Sequence, residues 1–176
     1  MKGFFLLLAF IANTVIAFSQ DKPVFPNDYI GKWKGTLEWS RAGNPQPQLV
    51  NMELYILPSK DSAGQYSWHL VYGSASQDSR PYLLKPVDTA KGHWLIDELN
   101  GIMLDQYWIG NRFTGSFSVG NSTIVNSYYI ENGNMIVEFI SYGGQALVKT
   151  GKGTEDSPFV DSYAIKGFQR AVLKKQ

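Results

Sequence analysis

The sequence contains no cysteine among its 176 residues. Disulfide bonds, which hold many small exported domains together, are therefore excluded, and the hydrophobic core must stabilise the fold by itself. Two histidines without any thiolate are also a poor basis for a metal site. The sequence therefore predicts neither a metal ion nor a cofactor.

An excess of charge of one sign is missing as well. Sixteen Lys and Arg side chains stand against 15 Asp and Glu side chains, so the formal net charge is only +1. A nearly neutral chain has no electrostatic attraction to nucleic acid or to an anionic membrane surface. We therefore expect no nucleic-acid partner.

Long hydrophobic runs are confined to the N-terminus. Lys2 precedes a mostly apolar stretch, and Ala17-Phe18-Ser19 has small residues at the two positions that a signal peptidase reads. This pattern predicts a signal peptide over residues 1–19 and one exported domain over 20–176, periplasmic or extracellular, with no integral membrane span after cleavage. An uncleaved membrane anchor is the less favoured alternative, because the run is short for a span of about 20 residues.

Helical periodicity is scarce, and apolar and polar residues instead alternate with a period of two. Gly, Asn, Pro and Ser punctuate this alternation about every ten residues, which is typical of an all-β sandwich or barrel. The predicted strands lie near residues 30–39, 48–57, 65–72, 81–87, 93–99, 102–109, 112–119, 123–131, 134–142, 145–150 and 163–174. Long polar loops are predicted at 40–47, 58–64, 73–80 and 151–162, around the entrance for a ligand.

Five dipeptides in the middle of the chain suit two-residue hairpin turns, because Gly and Asn tolerate positive φ. They are Asn100-Gly101, Gly110-Asn111, Gly120-Asn121, Asn132-Gly133 and Gly143-Gly144. Such turns fix the pairing register, so rows of neighbouring residues can be written across the strands. One row joins His93, Trp108, Phe113, Tyr128 and Val137, and the next joins Leu95, Gln106, Gly115, Asn126, Phe139 and Val148. The rows separate an apolar face from a polar one, which predicts an antiparallel meander with a single buried side.

The two ends of the chain favour closure of this sheet, because an open meander would leave an unpaired edge. The stretch IGKWKGTLEW, residues 30–39, places Trp33 and Trp39 on one face, and a long strand near 163–174 could pair with it. The predicted fold class is therefore an all-β, antiparallel, up-and-down barrel of about 8–10 strands. We expect the tryptophans to plug one end of the barrel and to line its wall.

Gly31-Lys32-Trp33 at the first strand and Arg170 in the last strand give the sequence a family resemblance. It resembles the calycin group of barrels, which includes lipocalins, fatty-acid-binding proteins and nitrobindin-like haem-binding proteins. The resemblance implies that Gly31, Trp33 and Arg170 pack together over the closed end, with a cavity open at the other end. Nitrobindin-like proteins need a haem-ligating histidine late in the chain, whereas the histidines here are His69 and His93.

The predicted ligand site follows from the cross-strand rows. It consists of the residues that the rows turn inward around a gap in the wall at Gly115: His93, Asp97, Gln106, Trp108, Phe113, Gly115, Asn126 and Tyr128. Apolar walls with a few convergent polar groups describe a small-molecule site. The alternative is that the polar groups satisfy one another or hold buried water.

Recognisable catalytic patterns are lacking. His93 and Asp97 would lie on one strand face about 13 Å apart, too far to act as a pair. Thr150-Gly151-Lys152-Gly153-Thr154 lacks the spacing of a phosphate-binding P-loop. We therefore assign no catalytic residues and favour a protein that is not an enzyme.

The first functional hypothesis is accordingly an exported binding protein that holds a small, largely hydrophobic molecule in a barrel cavity. The main alternative is a filled barrel that acts as a structural or interaction domain through a protein partner. The outward apolar residues on the predicted register would then form the contact surface: Trp94, Ile96, Met103 and Ile136. A barrel enzyme, such as an isomerase or hydrolase, and an outer-membrane barrel with an apolar outside are less favoured.

Overall fold

A computed structural model describes residues 22–176 of the chain. The predicted signal peptide, residues 1–19, and the cleavage site before Gln20 lie outside the described residues. The strands are β1 (Gly31–Ser40), β2 (Gln48–Ile56), β3 (Tyr66–Tyr72), β4 (Asp78–Asp88), β5 (His93–Asp97), β6 (Met103–Ile109), β7 (Arg112–Val119), β8 (Ser122–Glu131), β9 (Asn134–Gly143), β10 (Val148–Thr150), β11 (Val160–Ser162) and β12 (Ile165–Lys175).

Helical structure within residues 22–176 is limited to two short 3-10 turns, Asn27–Tyr29 and Thr89–Lys91. Accordingly, this part of the chain has no helix with the length and apolar character that a membrane crossing requires.

Ten strands form a closed antiparallel barrel in the order β1-β12-β9-β8-β7-β6-β5-β4-β3-β2. The pairing of β1 with β12, from Trp33 opposite Lys175 to Ser40 opposite Phe168, closes the sheet. All edges of this sheet are thereby paired, which removes the exposed backbone groups that an open meander would present. The predicted fold class, an all-β up-and-down barrel, is confirmed.

The N-terminal segment blocks one end of the barrel. Phe25 stacks on Phe113 with ring centroids 4.3 Å apart, and Tyr29 is fully buried beside it. The indole Nε1 of Trp33, at the start of β1, donates a hydrogen bond to the Tyr29 carbonyl oxygen at 2.8 Å. We call this the closed end.

The opposite, open end is surrounded by the connections that follow β1, β3, β5, β7 and β9. The predicted loops near 40–47, 73–80 and 151–162 belong to this end, although the strand β4 takes up residues 78–80. The predicted loop at 58–64 joins β2 to β3 and therefore lies at the closed end instead.

Three of the five predicted two-residue turns have the expected register. They place Ile109 opposite Arg112, Val119 opposite Ser122, and Glu131 opposite Asn134. The predicted row from Trp108 through Phe113 and Tyr128 to Val137 is therefore confirmed.

The prediction for Asn100-Gly101 is wrong, because β5 and β6 are joined by five residues, 98–102. The Asp97 carboxylate accepts a hydrogen bond from the Leu99 amide at 2.8 Å, and Leu99 has a positive φ of 61°. Trp94 consequently lies opposite Gln106, one residue away from the predicted register. A shift of one residue reverses the two faces of a strand, so Trp94 and Ile96 take the core positions of β5, while His93 and Asp97 have the outward parity, where Asp97 is nonetheless only 6% exposed.

The prediction for Gly143-Gly144 is also wrong. Strand β10 does not return along β9 but pairs with β11, with Val148 opposite Ser162, in a separate two-stranded hairpin. Strand β9 pairs directly with β12. The segment 144–164 is therefore an arm beside the open end rather than part of the barrel wall.

The packing implied for the closed end holds for Trp33 but not for Arg170. Trp33 is buried, and the residue that covers its ring is Lys175, whose Nζ lies 5.2 Å from the ring centroid. Arg170 is opposite Glu38 and forms an ion pair with Glu138 at 3.5 Å. The expectation for Arg170 is wrong because its neighbours Ala171 and Leu173 occupy the inward positions of β12.

Candidate functional site

A cavity of about 670 Å³ opens at the open end of the barrel. It is lined by alternate residues of the barrel strands together with rim residues: Leu37, Trp39, Gln48, Val50, Tyr72, Asp78, Arg80, Tyr82, Glu98, Ile102, Leu104, Phe117, Ser118, Val119, Ile124, Phe139, Ser141 and Gln169. The closed-end half of the interior is filled by the core around Trp33 and Trp68. The barrel therefore has a packed floor and an open mouth.

Most of the mouth cavity is apolar. Trp39 on β1, Phe117 on β7 and Phe139 on β9 present aromatic surface, and Leu104 on β6 adds aliphatic surface. Their inward direction follows from the period-two pattern of each strand. This surface suits the body of a hydrophobic ligand.

A charged pair lies on one wall. The Arg80 guanidinium donates from Nε and Nη2 to both oxygens of Asp78, at 2.8 and 2.7 Å. The guanidinium carbon of Arg80 also lies over the ring of Tyr72, 4.9 Å from the ring centroid. The hydrogen bonds from Arg80 lower the pKa of Asp78, and burial raises the pKa of Tyr72. The pair is therefore ionised at neutral pH, and Tyr72 is a neutral phenol.

Polar groups continue around the mouth cavity. Burial, and then the charge of Glu98, raises the pKa of the Tyr82 hydroxyl beside the Asp78–Arg80 pair. Ser141 lies on the wall formed by β9, where its hydroxyl donates to the Gly167 carbonyl oxygen at 3.4 Å. Gln169 adds an amide from β12. The mouth cavity thus offers both hydrogen-bond donors and acceptors.

Six of the eight predicted site residues lie inside the barrel, but none of them lines the mouth cavity. They belong to the core towards the closed end: Gln106, Trp108, Phe113, Gly115, Asn126 and Tyr128. Tyr128, for example, packs edge-on against Trp68 at 4.9 Å, and burial raises its pKa to about 12. Their role in ligand binding stays a prediction.

The gap predicted at Gly115 is filled by a neighbouring side chain. A Cβ atom at this position would collide with the Gln106 amide and would lie 2.6 Å from the Asp105 carbonyl oxygen. Both polar atoms of the Gln106 side chain and Oδ1 of Asn126 are buried without a hydrogen-bond partner among the described residues. The two amides therefore do not satisfy each other.

The other two predicted site residues have the outward parity of β5, and Asp97 is buried at its position there. The Nε2 atom of His93 lies 2.7 Å from a carboxylate oxygen of Asp105, and the imidazole stacks on Tyr107 at 4.6 Å. Asp97 forms an ion pair with Lys85 at 2.5 Å, which lowers the pKa of Asp97. The placement of His93 and Asp97 in an interior ligand site is therefore wrong.

Residues 22–176 contain no group of three or more His, Asp or Glu side chains that could hold a metal ion.

The sequence did not predict the charged residues of the mouth cavity, because segment 73–80 is polar and has the composition of a loop. The structure begins β4 at Asp78. Asp78, Arg80 and Tyr82 share one parity with the buried Leu84, and this alternation is the signal that could have extended the strand. Pro81, which lies opposite His69 in the sheet, argues against a strand at this position, because proline is rarely found within a paired strand.

Comparisons with known proteins are consistent with the barrel. No family model matches the sequence, and no curated protein sequence matches it. A crystal structure of a protein of unknown function from the DUF3598 family of Nostoc punctiforme PCC 73102 is similar, with a TM-score of 0.58 at 12% identity. The match covers 85% of this chain and 48% of the Nostoc chain, so the chain spans about half the length of that protein. The similarity shows the fold alone, and membership of the calycin group stays a prediction.

Proposed function

We propose that this protein binds a small, largely hydrophobic molecule in the mouth cavity. The observation that carries the proposal is the cavity itself, about 670 Å³ of space lined mainly by apolar side chains with a few polar groups on its walls. Pockets of roughly 300–1,000 Å³ with this kind of lining are typical small-molecule sites. The predicted signal peptide adds that the protein would act outside the cytoplasm.

The two halves of the interior support a site at the mouth rather than at the centre. Towards the closed end, Trp33, Trp68 and Phe113 are almost completely buried and in contact with the same core. A ligand would have to displace these side chains to enter that half. In the mouth cavity it would instead cover aromatic surface that is already accessible, which is favourable without any repacking.

The alternative, a filled barrel that acts through a protein partner, has one feature in its favour. The arm at residues 144–164 carries exposed apolar side chains, with Leu147 73% and Phe159 62% accessible. The packed core supports this alternative only for the closed-end half of the interior. Uptake of a ligand by the mouth cavity is therefore the observation that separates the two functions.

The test is a titration with Nile red, an uncharged dye whose fluorescence rises in apolar surroundings. Ser141 lines the mouth cavity, so Ser141→Phe should fill part of it and weaken dye binding at least about tenfold. Ser116 is exposed on β7 with the opposite parity to Phe117, so Ser116→Phe adds the same ring outside the barrel. The control should bind the dye like the unaltered protein. Absence of dye binding by the unaltered protein, or equal binding by both variants, would contradict the proposal.

A further inference from the structure

Charges of both signs lie together on the wall of the mouth cavity. The charged lining residues are the carboxylates Asp78 and Glu98 and the cation Arg80, and the hydroxyl of Tyr82 lies between Glu98 and Arg80. A charged head group placed beside Arg80 and Glu98 would be repelled by one of these two residues, whichever sign it carried.

Arg80 is not free to receive an anion. Its Nε and Nη2 groups are both used by Asp78 in a two-point contact, the arrangement in which an arginine holds a carboxylate most firmly. A ligand carboxylate that took this place would leave Asp78 without its partner, on the same wall as Glu98. Separating the two charges loses both hydrogen bonds of this contact, and water, which reaches 45% of the Arg80 side chain and 38% of the Asp78 side chain, replaces them only in part.

The groups that remain available are suited to an uncharged polar head. Nη1 of Arg80 is not used by Asp78, and the Tyr82 hydroxyl is within hydrogen-bonding reach of both Arg80 and Glu98. The Glu98 carboxylate can accept, and the hydroxyl of Tyr82 and the amide of Gln169 can do both. A hydroxyl or a primary amide both donates and accepts, so it can be satisfied here without disturbing the Asp78–Arg80 pair.

We infer that the ligand of the mouth cavity is an uncharged amphiphile, with an apolar body against Trp39, Phe117 and Phe139 and a hydroxyl or amide head beside Arg80 and Glu98. This inference rests on the proposed function, because it concerns the same cavity. It distinguishes the protein from a carrier of fatty-acid anions, for which a free arginine would be the expected feature.

The experiment displaces Nile red with four ligands that share a ten-carbon chain: decanol, decanamide, decanoate and decyltrimethylammonium. The measurement is made at about pH 8, where a carboxylic acid in water is ionised. Decanol and decanamide should bind at least about tenfold more tightly than decanoate and the ammonium compound.

Asp78→Asn tests the reason for the selectivity. This change frees Arg80, so the affinity for decanoate should rise about tenfold relative to the affinity for decanol. The matched control is Asp61→Asn, which changes an exposed residue in the loop at the closed end and should alter neither affinity. If Asp78→Asn fails to fold, the four-ligand comparison with the unaltered protein decides by itself.

The outcomes separate the inference from the proposed function. Decanoate or the ammonium compound binding as tightly as decanol would overturn the inference and leave the proposed function standing. Dye binding that neither decanol nor decanamide displaces would also overturn it. A protein that takes up neither the dye nor any of the four ligands would contradict the proposed function itself.

Discussion

The absence of a side chain at Gly115 leaves room inside the barrel for the Gln106 side chain. The Gln106 amide occupies the space where any other residue at position 115 would place its Cβ atom. The sequence correctly indicated an inward glycine with polar neighbours. It could not indicate that the adjacent strand fills the gap, because that depends on the conformation of one side chain.

Gly115→Ala is predicted to destabilise the protein. The added methyl group would collide with Gln106 and with the backbone of β6, and overpacking of this kind costs about 1–3 kcal/mol in the free energy of unfolding. Urea denaturation measures the change. Gly143→Ala is the matched control, because its Cβ atom would find no atom closer than 3.5 Å, and its effect should be much smaller. Equal stability of Gly115→Ala and the unaltered protein would show that Gln106 does not fill this space.

The ion pair of the buried Asp97 carboxylate with the half-buried Lys85 predicts a dependence of stability on pH. The pKa of Asp97 is lower in the folded protein than in the unfolded chain, mainly through Lys85. The pair therefore stabilises the fold above about pH 4, the usual carboxyl value, and this contribution is lost as the pH falls through the lowered pKa. Asp97→Asn should show a smaller fall in Tm on acidification.

The pH prediction is checked by thermal melts between about pH 7 and pH 3. Lys85→Met removes the same ion pair from its other side and should reduce the fall in Tm to a similar extent. A fall in Tm of Asp97→Asn as steep as that of the unaltered protein would contradict the assignment.

At the scale of elements, the seam between β1 and β12 converts the meander into a barrel. Gly35 lies in this seam, where its missing Cβ atom would collide with the carbonyl oxygen of Val172 and would lie 3.1 Å from Leu173. The two backbones can approach this closely because residue 35 has no side chain. Closure therefore depends on a glycine in the first strand.

Gly35→Ala is expected to lower the free energy of unfolding by about 2 kcal/mol or more, because backbone atoms cannot move aside as readily as a side chain can. Chemical denaturation monitored by tryptophan fluorescence gives the value. Thr36→Ala, an exposed neighbour on the same strand, should change stability far less. A loss no greater than that of Thr36→Ala would mean that the seam tolerates a side chain.

The sequence predicted the elements that tight turns define and failed where a longer connection replaced one. The rows through Trp108, Phe113 and Tyr128 were correct because two-residue turns leave only one register. The connection after Asp97 contains an Asn-Gly pair, but Leu99 adopts positive φ and lengthens the turn. The resulting shift of one residue in the pairing of β5 with β6 moved His93 and Asp97 from the predicted interior site to the outward positions of β5.

At the scale of the whole molecule, the barrel divides into a packed half and an open half. Phe25 and Tyr29 cover the closed end, whereas the mouth cavity lies around Trp39 and Phe139. The general character of an interior site could be predicted from alternation and aromatic content. Its position could not, because the N-terminal segment that fills the closed end has no strand pattern to place it.

Phe25→Ala tests the independence of the two halves. Phe25 contacts Phe113, Trp108 and Trp94 with ring centroids 4.3–5.3 Å apart, so its loss should cost about 2 kcal/mol of stability. Binding of Nile red in the mouth cavity should remain within about twofold of that of the unaltered protein. Loss of dye binding by a folded Phe25→Ala variant would show that the closed end and the cavity are coupled.

The most direct measurement of the central claim is native mass spectrometry of the protein purified from cells that produce it. The proposed function predicts a discrete added mass that is released on denaturation, retained by Ser116→Phe and absent from Ser141→Phe. A protein of bare mass that also takes up no decanol or decanamide when these are supplied would contradict the assignment of a small-molecule site to the mouth cavity.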